Sequence, residues 1–233
     1  MKLIIENLKK SYEKNLVLNE IDYEFESGKI YGLLGRNGAG KTTLFNCINE
    51  DIPVDTGKIF LESEYGKNTI NTNDIGYVVS TPVVPEFLTG KEFLKFYLEI
   101  NPDKNLKTID EYFEMVQIDK KDQDKLLRDY SHGMKNKMQI LINVIANPKV
   151  ILLDEPLTSL DIVVQEEMKN LLKSLKKDHI IIFSTHILEL ALDLCDDIVL
   201  LNNKKLSAVE KDEINTKNYK EKILKALKDE SND

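Results

Sequence analysis

The spacing of hydrophobic residues changes twice along this chain. Near the N-terminus, Ile21, Tyr23 and Phe25 alternate with acidic residues in NEIDYEFESG, and a period of two predicts a strand with one buried face. Short apolar runs in KIYGLLG, GKIFLES and IGYVVS predict three more strands. The segment KTTLFNCIN, which follows the first of these runs, is typical of a helix.

The middle of the chain, from about Pro85 to Pro148, has helical spacing instead. GKEFLKFYLEI and TIDEYFEMVQI are amphipathic, KNKMQILINVIAN is more apolar, and the polar stretch DKKDQDKLLRDYSHG lies between the last two. These patterns predict a helical subdomain inserted into an α/β framework.

Strands and helices alternate again after Pro148. KVILLDEP and HIIIFSTH are continuous apolar runs, as in strands buried on both faces, and DIVLLN predicts another strand. The segments VVQEEMKNLLKSLKK and ILELALDL predict helices, and a charged amphipathic helix is expected over about 212–233. The first of these helices has four apolar residues on one face: Val164, Met168, Leu171 and Leu175. We expect a single α/β domain over 1–233, with a mixed β-sheet, flanking helices and an antiparallel β portion near the N-terminus.

Composition narrows the classes of function. Asp and Glu number 40 against 32 Lys and Arg, a net charge of −8, whereas a nucleic-acid binder usually carries a basic domain. Cys47 and Cys195 are far apart, and this favours core thiols in a reducing compartment over a disulfide or a metal site. No stretch approaches the roughly 20 apolar residues of a membrane helix. We therefore expect a soluble chain, no nucleic-acid partner, and a membrane role only through another protein.

The segment KIYGLLGRNGAGKTTLF carries the clearest chemistry. Residues 35–42 match the phosphate-binding pattern G-x-x-x-x-G-K-[ST], with a predicted strand before it and a predicted helix after it. Glycines let successive backbone N–H groups curl around a phosphate, and the helix start adds partial positive charge. Lys41 is expected to reach the β- and γ-phosphates, and the Thr42 hydroxyl to bind Mg²⁺. The predicted nucleotide-binding residues are Gly35, Asn37, Gly38, Ala39, Gly40, Lys41, Thr42 and Thr43; the alternative is an ordinary tight turn.

Two adjacent acids end the apolar run VILLDEP. Asp154 is placed to bind Mg²⁺, directly or through water, and Glu155 to accept a proton from an attacking water. A solvated loop is the alternative, but the apolar residues before the acids put them at the C-terminal edge of a strand, where open α/β sheets bind ligands. Kinases, GTPases and motor ATPases share the phosphate-binding pattern, so it does not by itself name a reaction.

Further motifs, in this order, resemble those of the nucleotide-binding subunit of ATP-binding-cassette (ABC) transporters. YSHGMKNKMQ is similar to the family's signature loop LSGGQ, with Ser131 and Gly133 retained. LTSLD resembles the D-loop, with Asp161 as its acid, and His186 in FSTH matches the switch histidine near the γ-phosphate. Tyr12 matches the aromatic residue that stacks on adenine. Taken singly, Ser131 is also typical of a helix cap, His186 of a structural histidine and Tyr12 of a surface residue.

The resemblance covers roughly residues 3–211 and implies a P-loop NTPase core that hydrolyses ATP with Mg²⁺. Two copies would pair head to tail, with each ATP between Lys41 of one copy and Ser131 of the other. Glu155 would act on the water, while His186 and Lys41 stabilise charge on the phosphoryl group. An integral membrane permease would dock on the helical subdomain and hold the chain at the cytoplasmic face of the cell membrane. The Gly-Met form of the signature resembles export-type members, so export is expected.

One position departs from the family pattern. In IGYVVSTP this chain has Ser80 where the family has Gln, or sometimes Glu, in contact with Mg²⁺ or its water. Because serine is shorter, we expect Ser80 to reach the metal only through an additional water and hydrolysis or coupling to be weaker; Thr81 is the alternative source of that contact. Two other functions stay open, namely a soluble ABC ATPase that acts as a switch in translation or DNA repair, and a nucleotide-binding module with little hydrolysis.

Overall fold

Two β-sheets form the framework of the protein in a computed structural model, which describes residues 1–101, 107–158 and 160–209, together with 223 and 225. The strands are β1 (Lys2–Tyr12), β2 (Asn15–Glu26), β3 (Ile30–Leu34), β4 (Thr56–Ser63), β5 (Gly66–Thr69), β6 (Ile75–Val78), β7 (Val150–Asp154), β8 (Ile180–Thr185), β9 (Asp197–Asn202) and β10 (Lys205–Val209). The helices are α1 (Lys41–Ile48), α2 (Gly90–Ile100), α3 (Ile109–Met115), α4 (Lys120–Gln123), α5 (His132–Ala146), α6 (Ile162–Leu175) and α7 (Leu188–Leu194), with short 3-10 turns at Thr72–Asp74 and Leu127–Asp129.

The two sheets differ in the direction of their strands. The first has the order β2-β1-β4-β5 and is antiparallel throughout. The second has the order β10-β9-β3-β8-β7-β6, in which only the β10–β9 pair is antiparallel. In parallel strands the carboxyl ends share one edge, so the segments that follow β3, β6, β7 and β8 emerge side by side. This edge carries the candidate site.

The central strands of the second sheet are buried on both faces. In β7, Ile151 and Leu153 pack with the helices α2, α3, α5 and α6, whereas Val150 and Leu152 face the cluster that includes α1 and the first sheet. The same alternation holds in β8. Continuous apolar runs therefore correspond to a strand between two hydrophobic layers, which is why KVILLDEP and HIIIFSTH could be predicted.

The helices α2 to α5 all lie between β6 and β7 in the chain. α2 begins with a capping box, in which the Thr89 N–H donates to the Glu92 carboxylate at 2.8 Å and the Glu92 N–H donates to Thr89 Oγ1 at 3.2 Å. Thr108 and Glu111 cap α3 in the same way. The predicted α/β class, mixed sheet, antiparallel N-terminal portion and helical insert are confirmed, while the subdomain bounds of 85 and 148 and the single-domain span 1–233 stay predictions.

Several short elements were not predicted. β5 has the sequence GKNT, is exposed at all four positions and lies at the edge of the first sheet, so it has no hydrophobic pattern. α4 covers four residues inside the polar stretch 119–133. The helix predicted over about 212–233 lies outside the described residues except for 223 and 225, of which Ile223 is buried beside Leu188 and Ile198.

Candidate functional site

The loop between β3 and α1 has a backbone shape that only glycine supports at several positions. Gly38 and Gly40 have φ angles of 85° and 104°, in the region that side chains rarely adopt. A Cβ atom at Gly40 would lie 2.9 Å from Val17 Cγ1, and one at Gly35 would lie 2.8 Å from the Leu201 carbonyl oxygen. The dense glycines are therefore required by both conformation and space.

A cavity of about 280 Å³ opens at this loop. Its lining residues are Val17, Asn37, Gly38, Gly40, Lys41, Thr42, Thr43 and Glu155. The cap residue of α1 is Gly40, which has no side chain to satisfy the N–H groups of the first helical turn. Such a helix start, open at a cavity, fits an anionic phosphate group. Ala39 lines an adjoining cavity of about 430 Å³ that shares Asn37 and Gly38 with the first.

Lys41 is buried at the bottom of this loop. Its Nζ donates to the carbonyl oxygens of Gly35 at 2.8 Å and Arg36 at 3.2 Å, and it lies 3.4 Å from Glu155 Oε1. A buried ammonium group needs such partners to offset its lost hydration. The lysine is thus held against the loop, with a carboxylate beside it.

Asp154, the last residue of β7, joins three elements. Its Oδ2 accepts a hydrogen bond from the Thr42 hydroxyl at 2.7 Å, and its Oδ1 accepts one from the Ser184 hydroxyl at 2.6 Å. Burial raises the pKa of Tyr77 on β6, and the nearby Asp154 and Asp51 carboxylates raise it further, so the phenol stays a donor beside the acid. Asp154 is itself buried.

Mg²⁺ suits the oxygen atoms that Thr42 and Asp154 bring together. This ion typically binds through one or two carboxylates, substrate phosphates and waters rather than through a full set of protein ligands. A hydroxyl and a buried carboxylate 2.7 Å apart beside the cavity match that requirement. Among the described residues, no cluster of three or more His, Cys, Asp or Glu side chains forms a separate metal site.

Glu155 contacts a different side chain through each carboxylate oxygen. Oε1 faces Lys41, whereas Oε2 lies 2.8 Å from His186 Nδ1 and accepts from the Thr158 hydroxyl at 3.4 Å. The backbone of Glu155 is in the left-handed region, with a φ of 48°. Its N–H donates to Ser184 Oγ at 3.0 Å. The predicted catalytic residues Lys41, Glu155 and His186 are therefore in contact.

Ser131, Gly133 and Asp161 lie at two other helix starts. Ser131 caps α5 and accepts from the Met134 N–H at 3.2 Å, and Asp161 caps α6 through the N–H groups of residues 163 and 164. A Cβ atom at Gly133 would lie 2.9 Å from Val164 Cγ1, so the two helix starts pack closely. None of these three residues is among those that line the cavity at the phosphate-binding loop in the described part of the chain.

Tyr12 and Ser80 occupy exposed positions near the site. Tyr12 pairs with Asn15 at the turn between β1 and β2, is 46% exposed, and has Lys10 Nζ 5.4 Å from its ring centroid. Asn15 lines the adjoining cavity beside Asn37. Ser80 lies two residues after Val78, the last residue of β6, and Val78 pairs with Leu153 of β7, the residue before Asp154. The roles predicted for Tyr12 and Ser80, like those of the other site residues, stay predictions.

Sequence reasoning missed three residues of this site. Val17 lines the cavity, Tyr77 lies beside Asp154, and Ser184 bonds both acids. A polar residue near the end of the apolar run HIIIFSTH was a signal for Ser184, because a buried hydroxyl needs partners. No comparable signal marked Val17, whose contact depends on the packing of β2 against the loop. Cys47 and Cys195 are free in the structure, and burial raises the pKa of Cys47 to about 11.

A comparison with known protein families matches residues 18–158 to the ABC transporter family. The chain belongs to the ABC transporter family. Because it resembles the ATP-binding subunits of that family, the chain is an ATPase. Its likeness to solved ATP-binding subunits confirms the predicted P-loop fold. Among the helices that the structure describes, none is both long enough and apolar enough to cross a membrane.

Several relatives of this ABC chain are named as ATP-binding proteins of transport systems. It is 33% identical over 202 residues to the bacitracin transport ATP-binding protein of Enterococcus faecalis, covering 84% of this chain and 65% of that relative. It is 30% identical to the lantibiotic transport ATP-binding protein of Streptococcus pyogenes, covering 94% of each chain. A dimeric ATP-binding cassette, solved in a post-hydrolysis state with ADP and phosphate, has the same fold, with a TM-score of 0.74, 20% identity and coverage of 89% and 99%.

Proposed function

We propose that this chain hydrolyses Mg-ATP at an interface between two of its copies and so drives export of a substrate through a separate membrane permease. The observation that carries the proposal is the contact between side chains of three segments beside the cavity at the loop. Thr42 contacts Asp154 at the end of β7, Lys41 contacts Glu155 directly after it, and Glu155 contacts His186 after β8. Triphosphate binding and water activation thereby share one place.

The side chains divide the chemistry between them. The loop N–H groups and Lys41 bind the phosphates, and Lys41 stabilises the charge that develops on the transferred group. Thr42 and Asp154 hold Mg²⁺, which when bound neutralises phosphate charge. Glu155 accepts a proton from the attacking water, and His186 orients the Glu155 carboxylate through the 2.8 Å contact between Oε2 and Nδ1. Tyr12 stacks on the base.

A second copy completes the site in this proposal. Ser131 and Gly133 begin a helix in the same chain but do not line its own cavity, so they are available to the phosphate bound by a neighbour. Ile162 and Val163, beside Asp161, are 79% and 66% exposed, which supports a contact surface at the start of α6. Because the nucleotide contacts both copies, its binding closes the pair and its hydrolysis releases it.

In this proposal a membrane permease is the partner protein that moves when the two copies close on the nucleotide. Val83 and Phe87, between β6 and α2, are 72% and 78% exposed, which supports docking of another protein at the helical insert. This docking would hold the chain at the cytoplasmic face of the membrane. The relatives named for bacitracin transport and lantibiotic transport support export as the direction and make these compounds the first to test as substrates.

Two measurements test the proposal. The purified chain should release phosphate from ATP only with Mg²⁺, and an affinity-tagged copy should recover one integral membrane protein from detergent-treated membranes. Co-expression of that protein with this chain should lower the accumulation of bacitracin or a lantibiotic in cells. Recovery of ribosomes or DNA instead of a membrane protein, or accumulation that rises on co-expression, would refute the transport assignment or its direction.

A further inference from the structure

Ser184 is a fully buried hydroxyl residue in the central strand β8. Its neighbours in the sheet are Asp154 on β7 and Leu33 on β3, both in parallel register with it. The strand before it is entirely apolar, IIIF. Burying a polar atom in this layer costs free energy unless the atom forms hydrogen bonds. The hydrogen-bond partners of Ser184 therefore indicate its role.

The Ser184 hydroxyl bonds the two acids of the site at once. A backbone N–H can only donate, so the 3.0 Å contact from Glu155 N makes Ser184 Oγ the acceptor there. The hydroxyl hydrogen is therefore left for Asp154 Oδ1, at 2.6 Å. A hydrogen bond to an ionised acceptor is stronger than one between neutral groups. One side chain thus fixes a backbone and a carboxylate together.

The two hydrogen bonds of Ser184 fix the backbone of Glu155 and the orientation of the Asp154 carboxylate. Glu155 has a φ of 48°, in a region that is uncommon for non-glycine residues and costs them energy, and the bond to Ser184 Oγ holds its N–H in that conformation. That conformation directs the Glu155 carboxylate to Lys41 and His186. The other carboxylate oxygen of Asp154 accepts a hydrogen bond from Thr42. With only that bond the carboxylate could rotate, and the second bond, from Ser184, prevents this.

We propose that Ser184 is a positioning residue for hydrolysis, which acts through Glu155 and Asp154 and does not touch the nucleotide. This inference rests on the proposed function, because it needs Glu155 to act on water. Without the hydroxyl, the phosphate-binding loop keeps its own contacts, including those of Lys41 with Gly35 and Arg36. Nucleotide affinity should therefore persist while the carboxylates lose their alignment.

The test compares Ser184→Ala with Ser174→Ala. Ser174 is a matched control, because its hydroxyl bonds the Leu171 carbonyl within α6 and lies outside the site. Turnover, single-turnover rate, and the Kd of a fluorescent ATP analogue are measured for both variants and for the wild type, with thermal unfolding as a check on folding. We expect Ser184→Ala to lower the single-turnover rate roughly 10- to 100-fold, with a Kd within about twofold of the wild type.

The outcomes separate this inference from the proposed function. Ser184→Ala with a wild-type single-turnover rate would overturn the inference alone. So would a loss expressed only in Kd, which would make Ser184 a binding residue, or an equal loss in the Ser174→Ala control. Absence of Mg-ATP hydrolysis in the wild-type chain would overturn the proposed function and this inference with it.

Discussion

The Glu155 carboxylate and the His186 imidazole lie 2.8 Å apart, measured from Oε2 to Nδ1, although 31 positions separate them in the chain. The contact follows from parallel pairing of β7 with β8, which brings the residues after both strands to one edge of the sheet. Lys41 lies on the other oxygen of the same carboxylate. Glu155 therefore links Lys41, at the start of α1, to the segment that carries the histidine.

The first prediction concerns the proton acceptor. Glu155→Gln should retain ATP binding and lose roughly 10²–10⁴-fold in turnover, because an amide cannot accept the proton of the attacking water. Phosphate release and nucleotide Kd are measured on the same preparation. Glu114→Gln, at an exposed position of α3, is the control and should behave as the wild type. Near-normal turnover in Glu155→Gln would assign the base elsewhere.

The second prediction distinguishes the effect of backbone strain on stability from the effect of a displaced phosphate-binding loop on ATP affinity. Gly28 and Gly40 have φ angles of 88° and 104°, but only at Gly40 would a Cβ atom meet a neighbour, Val17 Cγ1 at 2.9 Å. Alanine at either position should cost about 1–2 kcal/mol of stability. Only Gly40→Ala should also weaken ATP binding, because the loop must move away from Val17. Equal Kd values for the two variants, measured by titration, would contradict this account of the loop.

The third prediction concerns the residue after β6 that departs from the family pattern. Ser80→Gln should raise turnover and lower the Mg²⁺ concentration for half-maximal activity, because the longer amide should reach the ion that Ser80 is expected to contact only through water. Ser207→Gln, at an exposed position of β10, is the control. An unchanged rate and Mg²⁺ dependence in Ser80→Gln would show that Ser80 does not limit hydrolysis, with Thr81 as the residue to change next.

Much of the fold could be predicted because each major element has a hydrophobic pattern of its own. The helix α2 was predicted at its observed bounds, since GKEFLKFYLEI is amphipathic with helical spacing. In α6, Met168 and Leu171 are buried on the predicted face. β5 could not be predicted, because its stability comes from pairing with β4 and not from burial of its own residues.

The site divides in the same way. The glycine pattern and the paired acids could be located from the sequence because each is a run of neighbouring residues. The structure then brings the two segments into contact. The bond from Ser184 to Asp154 depends instead on the register of two strands that meet only in the folded sheet. Glu155 likewise combines a left-handed backbone with a hydrogen bond from its N–H to Ser184 Oγ, and no local pattern in VILLDEP reveals either feature.

The central claim is that two chains form each ATP site, and mixing two inactive variants tests it most directly. Lys41→Ala removes the lysine that is expected to contact the phosphates, and Ser131→Arg blocks the helix start that a neighbour is expected to use. Each of these two variants alone should be inactive. As a control, Glu114→Gln is mixed with the wild type in the same way, and that mixture should keep full activity. Mixing should restore roughly a quarter of wild-type phosphate release, because half of randomly formed pairs hold one intact site out of two. Full activity of Ser131→Arg alone, or no activity in the mixture, would contradict the claim.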